Sequence, residues 1–202
     1  MPPFTNTRVN LVIVMEAFFI MKATGIVRRI DDLGRIVIPK EIRRTMRIRE
    51  GDPMEIFTNR EGEIMLKKYS PVGELAEFAG TLAESMALTS GDLVCFTDRD
   101  FVIASAGSGK KNYEGKVLDE QLQSFIDRRG SVTEVGDGKN FVKITPDDEK
   151  CYAGQSIATI LCHGDCIGSI VIYTQKREKE QLIGLGAITK TAASFLGKHM
   201  EQ

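Results

Sequence analysis

Tryptophan is absent from the 202-residue chain, and histidine occurs only twice, as His163 and His199. With so few imidazoles and no clustered pair of acids in a helix or strand setting, the sequence offers no constellation for general acid–base or nucleophilic catalysis. Cysteine is sparse too. Cys95, Cys151, Cys162 and Cys166 follow no regular spacing, which argues against a disulfide framework and for reduced thiols. Cys162-His163-Gly164-Asp165-Cys166 supplies zinc-ligand side chains, but one close pair with Cys151 remote in sequence falls short of a four-ligand structural site. On a strand, Cys162 and His163 would point to opposite faces, a poor arrangement for an activated thiol. No metal and no cofactor is expected, and the chain does not read as an enzyme.

Long apolar runs are equally scarce. Leu11–Ile20 falls short of the ~20 apolar residues needed to span a bilayer. Glu16 interrupts it, only Arg8 precedes it as a positive flank, and no small-residue cleavage site follows. Residues 1–20 therefore read as a non-native or disordered extension ahead of a native start at Met21, and no membrane partner is expected. The segment Ala104–Lys111 has the outline of a phosphate loop but lacks its first glycine. Lys111 also stands where a Ser or Thr must hold magnesium.

What the chain does have is an uneven charge distribution. The net charge is only −1, yet residues 21–73 hold 12 Lys and Arg against 8 Asp and Glu, a balance of +4. Residues 74–202 hold 14 against 19, a balance of −5. A basic front and an acidic back are expected when only one module meets a polyanion.

The basic front is built around residues 24–49. Two short apolar strands, Ile26–Ile30 and Arg35–Ile38, flank a turn at Asp31-Asp32-Leu33-Gly34, and a helix of about two turns follows Pro39. The β-branched run Ile36-Val37-Ile38 predicts a strand buried on both faces. Pro39 suits the first position of the helix, and Glu41 suits its first turn. Ile42 and Met46 are expected to face inward and Arg43, Arg44 and Arg47 outward. A hairpin, Met54–Thr58 and Glu63–Lys68, completes a unit of about fifty residues without a cysteine or histidine. Units of that size often need a staple or a partner to bury enough surface, so dimerisation is expected.

The motif Gly25-Ile26-Val27-Arg28, followed by Asp32-Leu33-Gly34-Arg35-Ile36-Val37-Ile38-Pro39 and Ile42-Arg43-Arg44, resembles the AbrB-type swapped-hairpin domain of bacterial transition-state regulators. The likeness runs over residues 22–69. It implies that two chains interlock their hairpins into one β-barrel whose arginines contact double-stranded DNA. Carried over by position, the contacts are Arg28, Arg35, Arg43 and Arg44, with Arg29 assisting. The bland alternative makes these arginines solvated partners of Asp31, Asp32, Glu41 and Glu50; for Arg47 and Arg49 that alternative is the expectation. The same fold also serves antitoxins and protein-interaction modules, so fold alone leaves two functions open.

After the Pro71/Gly73 junction the pattern changes. A helix over Glu74–Leu88 carries Leu75, Phe78, Ala79, Leu82 and Met86 on one stripe. Strands are expected at Asp92–Thr97, Phe101–Ala106, Phe141–Ile144, Ser156–Cys162 and Ile167–Thr174. Further helices are expected at Val117–Arg129 and Lys179–His199. This order describes an α+β sandwich and resembles a GAF domain, a fold used for small-molecule sensing or for assembly. Three segments follow: 1–20, a 21–70 AbrB-like DNA-binding domain, and a 71–202 GAF-like domain. An AbrB-type front on a GAF-like back resembles late-sporulation transcription regulators of spore-forming bacteria. That resemblance implies a cytoplasmic, nucleoid-associated homotetramer in the forespore, with any small-molecule effector of the rear domain unknown.

Overall fold

The computed structural model describes residues 26–135, 141–148, 152–175 and 178–201. The 1–20 extension, Gly25 of the arginine motif and Cys151 lie outside the described residues. Packing divides the chain into two units, 1–46 and 47–202.

In the first unit the only regular element among the described residues is helix α1, Lys40–Thr45. Pro39 sits just ahead of it as the N-cap, and its carbonyl accepts from the Arg43 amide at 3.0 Å. Gly34, at φ +75°, closes the Asp31–Gly34 turn with a 3.0 Å bond to the Asp31 carbonyl. The flanking segments 26–30 and 35–38 form no ladder, contrary to the two expected strands. Val27 is 89 % exposed and Val37 72 %, so the expected burial of the Ile36–Ile38 run on both faces is absent from a single chain. Met46 is likewise exposed, and Ile42 is half-buried. For the two segments the physical reason is that a β-branched strand with no neighbour has no ladder and nothing to bury against.

The second unit begins with the expected hairpin, β1 (Met54–Thr58) and β2 (Ile64–Lys68), in antiparallel register from Met54↔Lys68 to Thr58↔Ile64. Gly62, at φ +83°, turns the chain, while the Asn59 side chain accepts from the Glu61 and Glu63 amides. A short helix α2 (Pro71–Glu74), capped by Ser70, leads into α3 (Ala76–Ser90). Five antiparallel strands follow: β3 (Leu93–Thr97), β4 (Val102–Ala106), β5 (Ser131–Val135), β6 (Gly154–Cys162) and β7 (Asp165–Thr174), in the order β4-β3-β7-β6-β5. Helix α4 (Glu120–Asp127) is capped by the Asp119 carboxylate, and α5 (Lys179–His199) ends the described fold.

The period-two alternation of the strands sorts their side chains into two cores. Val94, Phe96, Ile170 and Ile172 face α3 and α5; Leu93, Cys95, Val171 and Tyr173 face α4 and the 141–148 segment. Two features were not anticipated. Strand β5 is one, a short edge strand that among the described residues pairs with β6 alone. The other is Phe141–Ile144, which is irregular rather than a strand, because side chains take the place of a ladder. The Val142 amide donates to Gln155 Oε1 at 3.1 Å, and the Ile144 amide to Asp148 Oδ2 at 3.0 Å. Tyr113 donates to Asp148 as well, at 2.6 Å, and burial pushes both its phenol and that of Tyr173 well up, so they stay neutral donors.

Candidate nucleic-acid interface

Arg28 and Arg29 lie on the extended 26–30 segment, Arg35 directly after the turn, and Arg43 and Arg44 in the last turn of α1; all five are exposed. Among the described residues no ion pair engages Arg28, Arg29, Arg43 or Arg44. Arg35 differs. Its Nε donates to Asp31 Oδ2 at 2.8 Å, and its amide to Asp31 Oδ1, also at 2.8 Å. Those bonds, the amide first and the guanidinium second, hold the Asp31 carboxyl below its usual range. The pair uses one of the five guanidinium N–H donors, so the rest of the fork stays available for a bidentate acceptor. The solvated-partner alternative thus holds for the Arg35–Asp31 pair and not for the other four.

A second charged cluster, within residues 47–127, was not anticipated. Lys68 Nζ lies 2.9 Å from Asp52 Oδ2 and 3.1 Å from the Arg47 carbonyl, and it also contacts Asp100 Oδ2. Arg49 Nη2 reaches Asp100 Oδ1 at 3.0 Å, so Arg49 is an ion-pair partner as expected, but of a buried carboxylate and not of Asp31, Asp32, Glu41 or Glu50. Arg99 bridges Asp52 at 3.4 Å and Asp127 at 2.8 Å. Asp98-Arg99-Asp100 reads in sequence as an ordinary polar turn. Nothing local announces that Asp100 pairs with a lysine 32 positions away.

The Cys162–His163 contact also departs from expectation. The two side chains meet, with Sγ 3.3 Å from Nδ1, because His163 lies beyond β6 in a turn at φ +49° and the alternation of a strand no longer applies. Burial, with the charges of Glu201 and Asp165 behind it, pushes the Cys162 thiol up, away from a reactive thiolate. Among the described residues no group of three or more His, Cys, Asp or Glu is placed to hold a metal ion. Nor is any described helix long and apolar enough to cross a membrane.

Known proteins share both halves of this chain. Residues 74–201 match the family model described as the stage V sporulation protein T C-terminal, transcription factor. Stage V sporulation protein T of Bacillus subtilis is 49% identical over 184 residues, 90% of this chain and 100% of the relative. The chain belongs to the stage V sporulation protein T family. Its front is also similar to the B. subtilis transition state regulatory protein AbrB, at 47% over 75 residues, 37% of this chain and 76% of that one. Residues 27–74 match the model described as antidote-toxin recognition MazE, bacterial antitoxin. Family membership and the AbrB-like front make this a DNA-binding transcription regulator of sporulation, as the sequence implied.

Among solved structures, similar chains include the GAF domain of the nutrient sensor CodY from Clostridium difficile, at TM-score 0.46 and 11% identity over 60% of this chain and 83% of that one. A GAF domain from an Acinetobacter phosphotransferase scores 0.47 at 11% identity, over 66% and 84%. At these values the likeness extends to the general run of the chain and no further.

Proposed function

We propose that two copies of residues 21–70 interlock into one barrel and present Arg28, Arg29, Arg35, Arg43 and Arg44 to duplex DNA. Residues 71–202 then join such dimers into a homotetramer. The protein acts in the forespore cytoplasm on late-sporulation promoters and catalyses no reaction. The observation that carries this reading is the exposure of Val27, Ile30, Ile36 and Val37 on segments without ladder partners. Apolar β-branched segments left bare in one chain call for a second chain. On this reading the division at residue 46 belongs to the lone chain, and 21–70 becomes one module once the partner hairpin is in place.

For the rear assembly the support is the outward face of α3 and α5. Phe78 packs 6.2 Å from Phe195, both near His199, while Ile183, Ile188 and Phe195 stay exposed along α5. The test is footprinting of the full chain on genomic fragments, with its mass in solution measured alongside. A monomer in dilute buffer, or a chain that ignores duplexes at low salt, overturns the reading.

A small-molecule effector of the rear domain is the second reading. The observation in its favour is an open recess of about 580 Å³ lined by Gln121, Ser124, Phe125, Arg128, Ser131 and Val132, among others. A thermal-shift screen against nucleotides and small metabolites tests it, since any ligand selective for the folded state raises the midpoint.

A further inference from the structure

The Lys68 cluster surrounds a distinctive bend. Helix α1 ends at Thr45, and two residues later Arg47 adopts φ +54°, a left-handed conformation that favours glycine. Such a conformation persists only where the surroundings hold it. Here Lys68 Nζ donates to the Arg47 carbonyl, and Asp52 Oδ2 accepts from the Arg49 amide at 2.8 Å. Lys68 and Arg49 are themselves fixed by one carboxylate of the rear domain, Asp100, in the turn between β3 and β4. The side chains of Asp52 and Asp100 are only 1 % and 4 % exposed, so each is a buried charge that must stay paired.

We propose that Asp100 is a positioning residue for DNA binding: by clamping Lys68 and Arg49 it sets the bend through which the chain leaves the helix that carries Arg43 and Arg44. The inference rests on the reading that α1 meets DNA. It adds that the acidic rear domain contributes to that binding without touching the duplex. Arg99, anchored by Asp127 at the end of α4, reaches Asp52 at 3.4 Å, so the β3–β4 turn engages the segment through two of its residues.

The test is Asp100→Asn in the full-length chain. The change is isosteric and removes one negative charge, so electrostatics alone predicts DNA binding as tight as before or tighter. Positioning predicts the reverse: affinity for a footprinted fragment weaker by about tenfold or more, as removing one partner of a buried ion pair is costly. The slope of log affinity against log salt stays the same, because the same phosphates are neutralised. Amide exchange at residues 47–52 speeds up while β6 and β7 stay protected, and Asp100→Glu restores part of the affinity. Unchanged or tighter binding by Asp100→Asn overturns the proposal. So does weakened binding accompanied by exposure of β6 and β7, or a salt slope that falls by about 0.9, the mark of a residue that meets a phosphate directly. If the wild-type chain itself fails to bind the fragment, the DNA-binding reading falls, and this inference with it.

Discussion

Arg43 and Arg44 are adjacent in the last turn of α1, exposed, and held by no carboxylate among the described residues. Replacing both with Ala is expected to weaken DNA binding and to lower the salt slope by about 0.9 for each phosphate no longer neutralised. The mass of the oligomer should stay the same; titrations at several salt concentrations with light scattering check both, and dissociation would mark the arginines as structural. Asp52 behaves differently. Burial alone would push its carboxyl up, but bonds from the Arg49 amide and Lys68, with the charges of Lys68 and Arg99, outweigh that and hold it below its ordinary 3.8. A depressed folded value means its contribution is intact above the ordinary value and fades as pH drops through the folded one. The gap in melting temperature between wild type and Asp52→Asn is therefore expected to be constant near neutrality and to close below about pH 4, as Asp52 begins to take up a proton.

Helix α5 is held against the sheet by backbone proximity as much as by side chains. A Cβ at Gly197 would stand 2.0 Å from the Leu161 carbonyl oxygen, which no rotamer change relieves. Gly197→Ala should cost about 1–3 kcal/mol or more, since the helix must lift off β6; calorimetry of the variant checks this. Ile36→Glu puts a charge into a segment that the intertwined dimer is expected to bury, and sedimentation of the full chain should show the mass halved, with pairs held by the rear domains in place of the tetramer. Such elements differ in how far the sequence reveals them. Helix Lys179–His199 was legible to the residue, because its apolar spacing and its length both speak for one conformation. The 54–68 hairpin was legible from its turn residues. Segments 26–30 and 35–38 carry strand composition, but a strand is a relation between two backbones, and among the described residues no second backbone pairs with them. Phe141–Ile144 misled for the opposite reason: Gln155, Asp148 and Tyr173, distant in sequence, supply the bonds a ladder would have made. For the candidate site, the arginine motif was visible because its order is local. The Asp52–Lys68–Asp100 cluster was not, because it exists only once β2 and the β3–β4 turn meet.

At the scale of the whole molecule, the +4 front and the −5 rear divide the work. An acidic body repels phosphates and leaves the basic module as the surface that attracts them. If α3 and α5 pair two dimers, Phe195→Glu combined with Ile183→Glu should halve the mass in solution. It should also weaken binding to paired sites more than to a single site, since the second dimer is no longer tethered beside the first; light scattering and binding to one-site and two-site fragments check it. The Lys68 cluster has one more consequence. Lys68 stands directly opposite Met54, at the open end of a two-stranded ribbon. Sliding one strand past the other by a single residue would turn the ammonium to the wrong side of that ribbon and strand two carboxylates in the interior. A ribbon slipped by one residue would forfeit the ion pairs that seat it on the body behind it.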